Sequence, residues 1–140
     1  MKFYSYEYVL SQISQQDWVI MRYADVLLML AEAENELNGP TELVYKSINA
    51  IRKRALMPEL PPKLSKEQMR NKIRNERRIE LAFEGHRYFD LKRWKTAISV
   101  LNAVADAPVT YKFEKKHYLW PIPQSEIDKN KGKLVQNPDW

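Results

Sequence analysis

Three glutamates, Glu76, Glu80 and Glu84, follow one another at four-residue intervals within Met69 to Trp94 (MRNKIRNERRIELAFEGHRYFDLKRW). On a helix this spacing stacks them on one side, where neighbouring carboxylates repel unless something counters them. Two facing carboxylates are also the equipment for hydrolysing a glycoside, one as general acid and the other as base or nucleophile. That chemistry needs a cleft opposite the pair. Here the same face also carries Met69, Ile73, Ile79 and Phe83 at helical spacing, so it must supply core packing. A carboxylate on a core-facing stripe is costly unless an arginine or several N–H groups meet it. Arg22, Arg52, Arg77, Arg87 and Arg93 are at hand. The expectation is therefore a set of buried or half-buried ion pairs drawn from Glu76, Glu80, Glu84, Arg22, Arg77, Arg87 and Arg93, with no catalytic residue.

Other chemistries find less support. There is no cysteine, which removes disulfides and thiolate metal sites. The histidines are His86 and His117, neither is read as part of an E-x-x-H or H-E-x-x-H pattern, and no metal or cofactor is expected. Neither a G-x-S-x-G elbow nor a phosphate-binding glycine loop nor a dinucleotide fingerprint occurs. The formal net charge of +5 raises the question of nucleic acid. The basic residues alternate with glutamates, as in RNERRIE, whereas a nucleic-acid binder gathers them on one face. No nucleic-acid partner is expected. A cluster of Arg52, Lys53, Arg54, Arg70 and Arg74 on one exposed face would argue for one. Trp18, Trp94 and Trp120 sit in apolar settings and read as core, whereas Trp140 fits either core or a sugar platform.

The elements that must position these groups are mostly helical. The chain has 140 residues and 3 glycines, and alternating strand patterns are scarce, which suits one mainly α domain over 1–140. A first helix is predicted from Trp18 to Asn38. Its wide apolar face holds Ile20, Tyr23, Ala24, Leu27, Leu30, Ala31 and Leu37, leaving a narrow polar stripe of Arg22, Asp25, Glu32 and Glu36. Asn38-Gly39-Pro40 ends it. A second helix runs from an N-cap at Thr41 to about Leu56, with Val44, Ile48, Ile51 and Ala55 inward. The two form a tetratricopeptide-like helix pair, close-packed through Ala31, Ala33 and Ala55. After the proline-rich Met57 to Leu64, Ser65 and Gln68 fit a capping box, and Leu64 with Met69 a hydrophobic staple. The third helix should reach Glu84 and break at Gly85. A further helix carries Tyr88, Phe89, Leu91, Trp94, Ile98 and Leu101.

The ends read differently. Residues 1–17 suggest an extended arm, or a short strand through Tyr4, Tyr6 and Tyr8. Val109 to Trp120 reads as one or two short strands in an otherwise irregular C-terminal tail, and Gln124 to Asp128 as a helical turn. The longest strongly apolar run, Val26 to Ala31, is far too short to span a bilayer, so the chain as written is expected to be soluble.

Four blocks in order resemble the SusD/RagB family. Arg22 to Ala33 (RYADVLLMLAEA) is similar to its first helical block. Ile48-Asn49-Ala50-Ile51-Arg52 with Arg54-Ala55 is similar to the second. Glu76 to Trp94 (ERRIELAFEGHRYFDLKRW) resembles the most distinctive one. Pro121-Ile122-Pro123 with Glu126-Ile127, then Gln136-Asn137-Pro138, resembles the C-terminal signature, although Asp139-Trp140 stands where the family more often has Gly and an aromatic. The resemblance implies the C-terminal region of a Bacteroidetes outer-membrane, surface-exposed lipoprotein that binds glycan or another nutrient. It further implies that the protein is not an enzyme and works beside a SusC-like TonB-dependent transporter. It also implies that the chain is one portion of a protein several times longer. Its membrane attachment would be a lipid anchor absent from this chain, and its sugar-contacting residues would lie mainly upstream. Within this portion the glutamate-rich block is then structural, and the substrate-binding residues are unknown. Should the chain bind sugar alone, Tyr4, Tyr6, Trp120 and Trp140 are the stacking candidates.

Overall fold

The computed structural model describes residues 19–104 and 112–140. The N-terminal arm, Trp18 and the residues 109–111 expected to begin a strand lie outside them. The chain groups into two compact units, one ending at Glu80 and the other spanning Leu81–Trp140.

The first unit is built from α1 (Tyr23–Asn38), α2 (Glu42–Arg54) and α3 (Lys66–Glu80), with α1 packed against both of the others. The first helix begins later than its apolar pattern suggests. Residues 19–22 are non-helical, and Arg22 has an extended backbone (φ −122°, ψ 156°) as the N-cap. At the other end Gly39 turns at φ 83° and its N–H reaches Asn35 O at 3.0 Å. That left-handed conformation is cheap for glycine, and the proline after it prevents continuation. The core joins Ala31 to Val44 and Ile48 of α2, Leu60 of the connection, and Met69 and Ile73 of α3, with Tyr45 and Leu64 packed at its edge. Two side chains of α2 pin the proline-rich connection. Asn49 Oδ1 accepts from Leu60 N–H, and the Tyr45 hydroxyl oxygen accepts from Leu64 N–H, both at 3.0 Å. The capping box forms reciprocally: Gln68 N–H donates to Ser65 Oγ at 3.2 Å, and Ser65 N–H to Gln68 Oε1 at 2.8 Å.

Two faces differ from the sequence reading. Ile79 and Phe83, placed on the inner stripe of the third helix, are 63% and 92% exposed; the buried face is Met69, Ile73, Glu76, Arg77 and Glu80. The helix also stops at Glu80 rather than Glu84, and 81–85 is a turn with Phe83 and Gly85 at positive φ. Ending the helix there takes Phe83 off the wheel altogether. Asp25 of α1 is buried although the pattern put it on the polar stripe, while Tyr23, Leu30 and Leu37 of the expected inward face are exposed, as is Ile20 ahead of the helix. Ala33 and Ala55 are exposed too, so of the three small residues only Ala31 lies in the helix contact.

The second unit has short elements: α4 (His86–Arg93), α5 (Ala97–Leu101) and α6 (Gln124–Lys129), with a 3-10 turn at Lys115–Tyr118. The long helix expected over Tyr88 to Leu101 is two, broken where Lys95 adopts φ 58°. Leu91, Ala97 and Phe113 form the core, flanked by Tyr88, Leu101 and Tyr118. The 112–120 stretch is not a strand: no β ladder occurs among the described residues. Its alternating aromatics serve a tight turn instead. Glu114 N–H donates to His117 Nδ1 at 2.9 Å, and His117 N–H to Glu114 O at 3.1 Å.

Candidate functional site

The glutamate-bearing face of α3 is a charge clamp. Glu80 Oε1 accepts from Arg22 Nη1 at 2.7 Å, and Arg22 Nη2 donates to the Glu80 carbonyl at 2.8 Å. Arg54 Nη2 reaches both Glu80 carboxylate oxygens at 2.7 and 2.6 Å. Glu76 Oε2 accepts from Arg52 Nη1 at 2.8 Å, and Arg52 Nε donates to Pro58 O at 2.7 Å. Arg77 donates to Asp25 Oδ1 at 2.7 Å, with both side chains buried (5% and 6% exposed). Each carboxylate thus ties α3 to α1 or to the last turn of α2. Charged hydrogen bonds of this length are the strong class, and they meet the desolvation of the buried oxygens.

Of the residues named from sequence, the structure brings Arg22 to Glu80, Arg77 to Asp25, and Arg93 to Asp90, whose Oδ1 accepts from Arg93 Nε at 2.9 Å. Glu84 and Arg87 are half-buried. The sequence reading missed Asp25, Arg54 and Asp90 as partners. Asp25 carried a legible signal, since it is flanked by apolar residues on both sides in a helix too apolar to have a true polar face.

A second candidate is the cleft of about 410 Å³ in the Leu81–Trp140 unit, lined by Tyr88, Phe113, His117, Leu119, Trp120 and Trp140 among others. Trp120, read as core, is 67% exposed at its edge. The cleft wall is fixed by side chain to backbone bonds. Gln136 accepts from Ile122 N–H at 2.8 Å and donates to Ile122 O at 2.9 Å, replacing a strand partner. Asn137 Nδ2 donates to Trp120 O at 2.6 Å, and Trp140 Nε1 is shared between Lys116 O and Leu119 O, both at 3.2 Å. Asn102 brackets Phe113, donating to its carbonyl at 3.0 Å and accepting from its N–H at 2.7 Å.

Cations already stand on these rings. Lys92 Nζ lies 5.2 Å from the centroids of both Tyr88 and Trp120, and Lys116 Nζ lies 4.9 Å from that of Trp140. Each such contact is worth about 0.5–1 kcal/mol at an exposed ring, and a sugar stacking on the same face would have to displace it. Contrary to the expectation from sequence, Glu114 and His117 do have E-x-x-H spacing. Their geometry is that of a turn cap, and among the described residues no group of three or more acidic or histidine side chains is placed to hold a metal ion.

Three helices held together by arginine–carboxylate pairs, and short elements ordered by aromatic contacts, make this a mainly helical protein. A sequence model of the SusD family matches residues 2–140. The chain belongs to the SusD family. SusD-like protein P2 of Formosa agariphila is 33% identical over 134 residues, which cover 91% of this chain and 26% of that protein. Among solved structures, a SusD homolog from Bacteroides thetaiotaomicron is similar at a TM-score of 0.74 and 34% identity, over 94% of this chain and 30% of that one. Surface glycan-binding protein A from Bacteroides thetaiotaomicron is 39% identical with a TM-score of 0.70, over 86% and 24%. The chain thus spans about a quarter of the length of the relatives it matches.

Proposed function

We propose that these residues are scaffold within a cell-surface glycan-binding protein that works with a TonB-dependent outer-membrane transporter and reaches the membrane through a lipid anchor carried elsewhere. The observation that carries the scaffold reading is the clamp: Glu76, Glu80 and Asp25 each hold an arginine at 2.6–2.8 Å. Carboxylates so engaged are poorly placed to exchange protons with a glycoside, and neither Glu76 nor Glu80 lines the aromatic cleft. This favours a binding protein over a hydrolase. It also weakens the nucleic-acid reading, since Arg52, Arg54 and Arg70 are spent on Glu76, Glu80 and Glu36. Family membership and the 39% identity to a surface glycan-binding protein support glycan as the ligand class. No helix among the described residues is long and apolar enough to cross a membrane.

The test is calorimetric titration of the 140-residue chain against a panel of neutral and acidic oligosaccharides, beside a full-length SusD-family protein carrying it as the matching quarter. Heat with the long protein and none with the chain alone supports the scaffold role. Saturable binding by the chain alone would overturn it and point to Trp120 and Trp140.

A further inference from the structure

The cleft of the second unit is walled by rings and aliphatic side chains: Tyr88, Phe113, Trp120 and Trp140 with Leu101 and Leu119. Its volume of about 410 Å³ falls within the roughly 300–1,000 Å³ of small-molecule sites, which are mostly apolar with a few placed polar groups. Most polar groups of this wall are already engaged. Trp140 Nε1 and the amides of Asn102, Gln136 and Asn137 are bonded to backbone. The carbonyls of Phe113, Lys116, Leu119 and Trp120 are the acceptors of those bonds or of their neighbours. His117 Nδ1 accepts from Glu114 N–H, so the neutral ring carries its proton on Nε2, which is a donor. Lys112 and Lys116 share the Glu114 carboxylate at 3.4 and 3.9 Å. Lys92 differs from them. Its Nζ stands 5.2 Å from the ring centroids of both Tyr88 and Trp120, and among the described residues it has no carboxylate partner.

We infer that this cleft binds a planar aromatic carboxylate, its rings against Tyr88 and Trp120 and its anionic end on Lys92. Two observations select that ligand. The polar capacity left at the cleft is one-sided: it donates and carries positive charge. A sugar's hydroxyls both donate and accept, so a sugar needs acceptors that are already engaged here, whereas a carboxylate only accepts. The position of Lys92 makes the same choice. A neutral ligand stacking on Tyr88 or Trp120 displaces the ammonium and loses the cation–π contact, while an anionic one keeps the ammonium as its charged hydrogen-bond partner. The inference concerns a ligand other than glycan, in a region read as scaffold for glycan binding, so it stands or falls separately from the glycan reading.

The probe is 2-naphthoate, with 2-naphthamide as its uncharged counterpart. Each is titrated into the isotope-labelled 140-residue chain and followed by NMR at the indole N–H signals of Trp120 and Trp140, assigned through Trp120→Phe and Trp140→Phe. The expected result is a saturable shift of both indoles, with naphthoate bound at least tenfold more tightly than the amide. Lys92→Met, which keeps an apolar stem over the rings, should bring naphthoate down to the affinity of the amide. Lys129→Met, which removes a cation paired with Glu126 outside the cleft lining, should leave the tenfold preference intact. Neither indole shifting at millimolar naphthoate overturns the inference, and so does equal affinity for acid and amide. An equal loss in Lys129→Met overturns it as well, by making the preference one of net charge. Displacement of naphthoate by a neutral oligosaccharide overturns both this inference and the scaffold reading, whereas failure of naphthoate alone leaves the scaffold reading standing.

Discussion

Up to Glu80 the described chain is three helices of 13 to 16 residues, and the buried faces of α1 and α3 carry opposed charges among the apolar side chains. From Leu81 onward the elements are 4 to 8 residues long, and order comes from aromatic contacts and from side chains that bond backbone. Long helices satisfy their own backbone groups, so their side chains are free to tie one helix to another. Short turns leave many backbone groups unpaired, and Asn102, Gln136 and Asn137 are recruited to satisfy them. The first unit should therefore fail through loss of a charge partner, and the second through loss of a ring or an amide.

The largest effect is expected at Asp25. Asp25→Ala leaves the Arg77 guanidinium buried without its 2.7 Å carboxylate, which costs about 3–5 kcal/mol. Urea unfolding followed by hydrogen exchange should show protection lost in α1 to α3. The double variant Asp25→Leu/Arg77→Met removes both charges and should recover most of the loss. If the double variant is no better than the single, the pair acts through shape rather than charge.

Phe113→Ala is the counterpart in the second unit. Phe113 is nearly buried and meets Tyr118 and His117 edge-on, with ring centroids 5.2 and 5.4 Å away. Loss of the ring should cost about 3 kcal/mol. Exchange should quicken at amides beyond Leu81 and stay unchanged in α1 to α3. Coincident loss across both regions would show that the two units unfold as one.

Periodicity and turn chemistry made much of this legible. The Gly39 stop, the Ser65–Gln68 box and the inward Val44, Ile48 and Ile51 all follow from local rules. What sequence could not fix was which of two apolar faces α1 would bury, because a helix apolar on both sides has no unique inward direction. The inward face proved to contain Asp25, since Arg77 makes that burial affordable. Likewise Phe83 fits the α3 stripe, but the helix ends three residues before it. The arginines were nameable as a pool, yet pairing depends on tertiary geometry, and Arg54 joining Arg22 on Glu80 is invisible to any wheel. The short strands expected in the tail gave way to a 3-10 turn because Glu114 and His117 bond each other locally.

A smaller effect is expected at Gly85, which turns at φ 83° with open space around a would-be Cβ. Gly85→Ala should cost about 1 kcal/mol through backbone conformation alone. A much larger loss of thermal stability would mean that a neighbour does approach the turn.

The smallest effect separates the units by pH. Arg70 is hydrogen-bonded to Glu36, with Nη2 2.7 Å from Oε2, and that bond holds the Glu36 carboxyl below its ordinary value. A lowered folded pKa means the pair's contribution is present above the unfolded carboxylate value. It fades as pH falls through the depressed folded one. Because the pair is solvent-exposed, the contribution is small. Arg70→Ala should therefore lower the melting temperature by about 2 °C or less at neutral pH, and leave it unchanged at a pH where Glu36 is protonated in both states. The Lys92 contact with Trp120 contains no carboxylate, so the loss caused by Lys92→Met should not fade on acidification through the same range. If both variants lose their effect together in acid, the second unit too depends on a titrating carboxylate, and the division between a charge-clamped region and a ring-and-amide region is weaker than the geometry indicates.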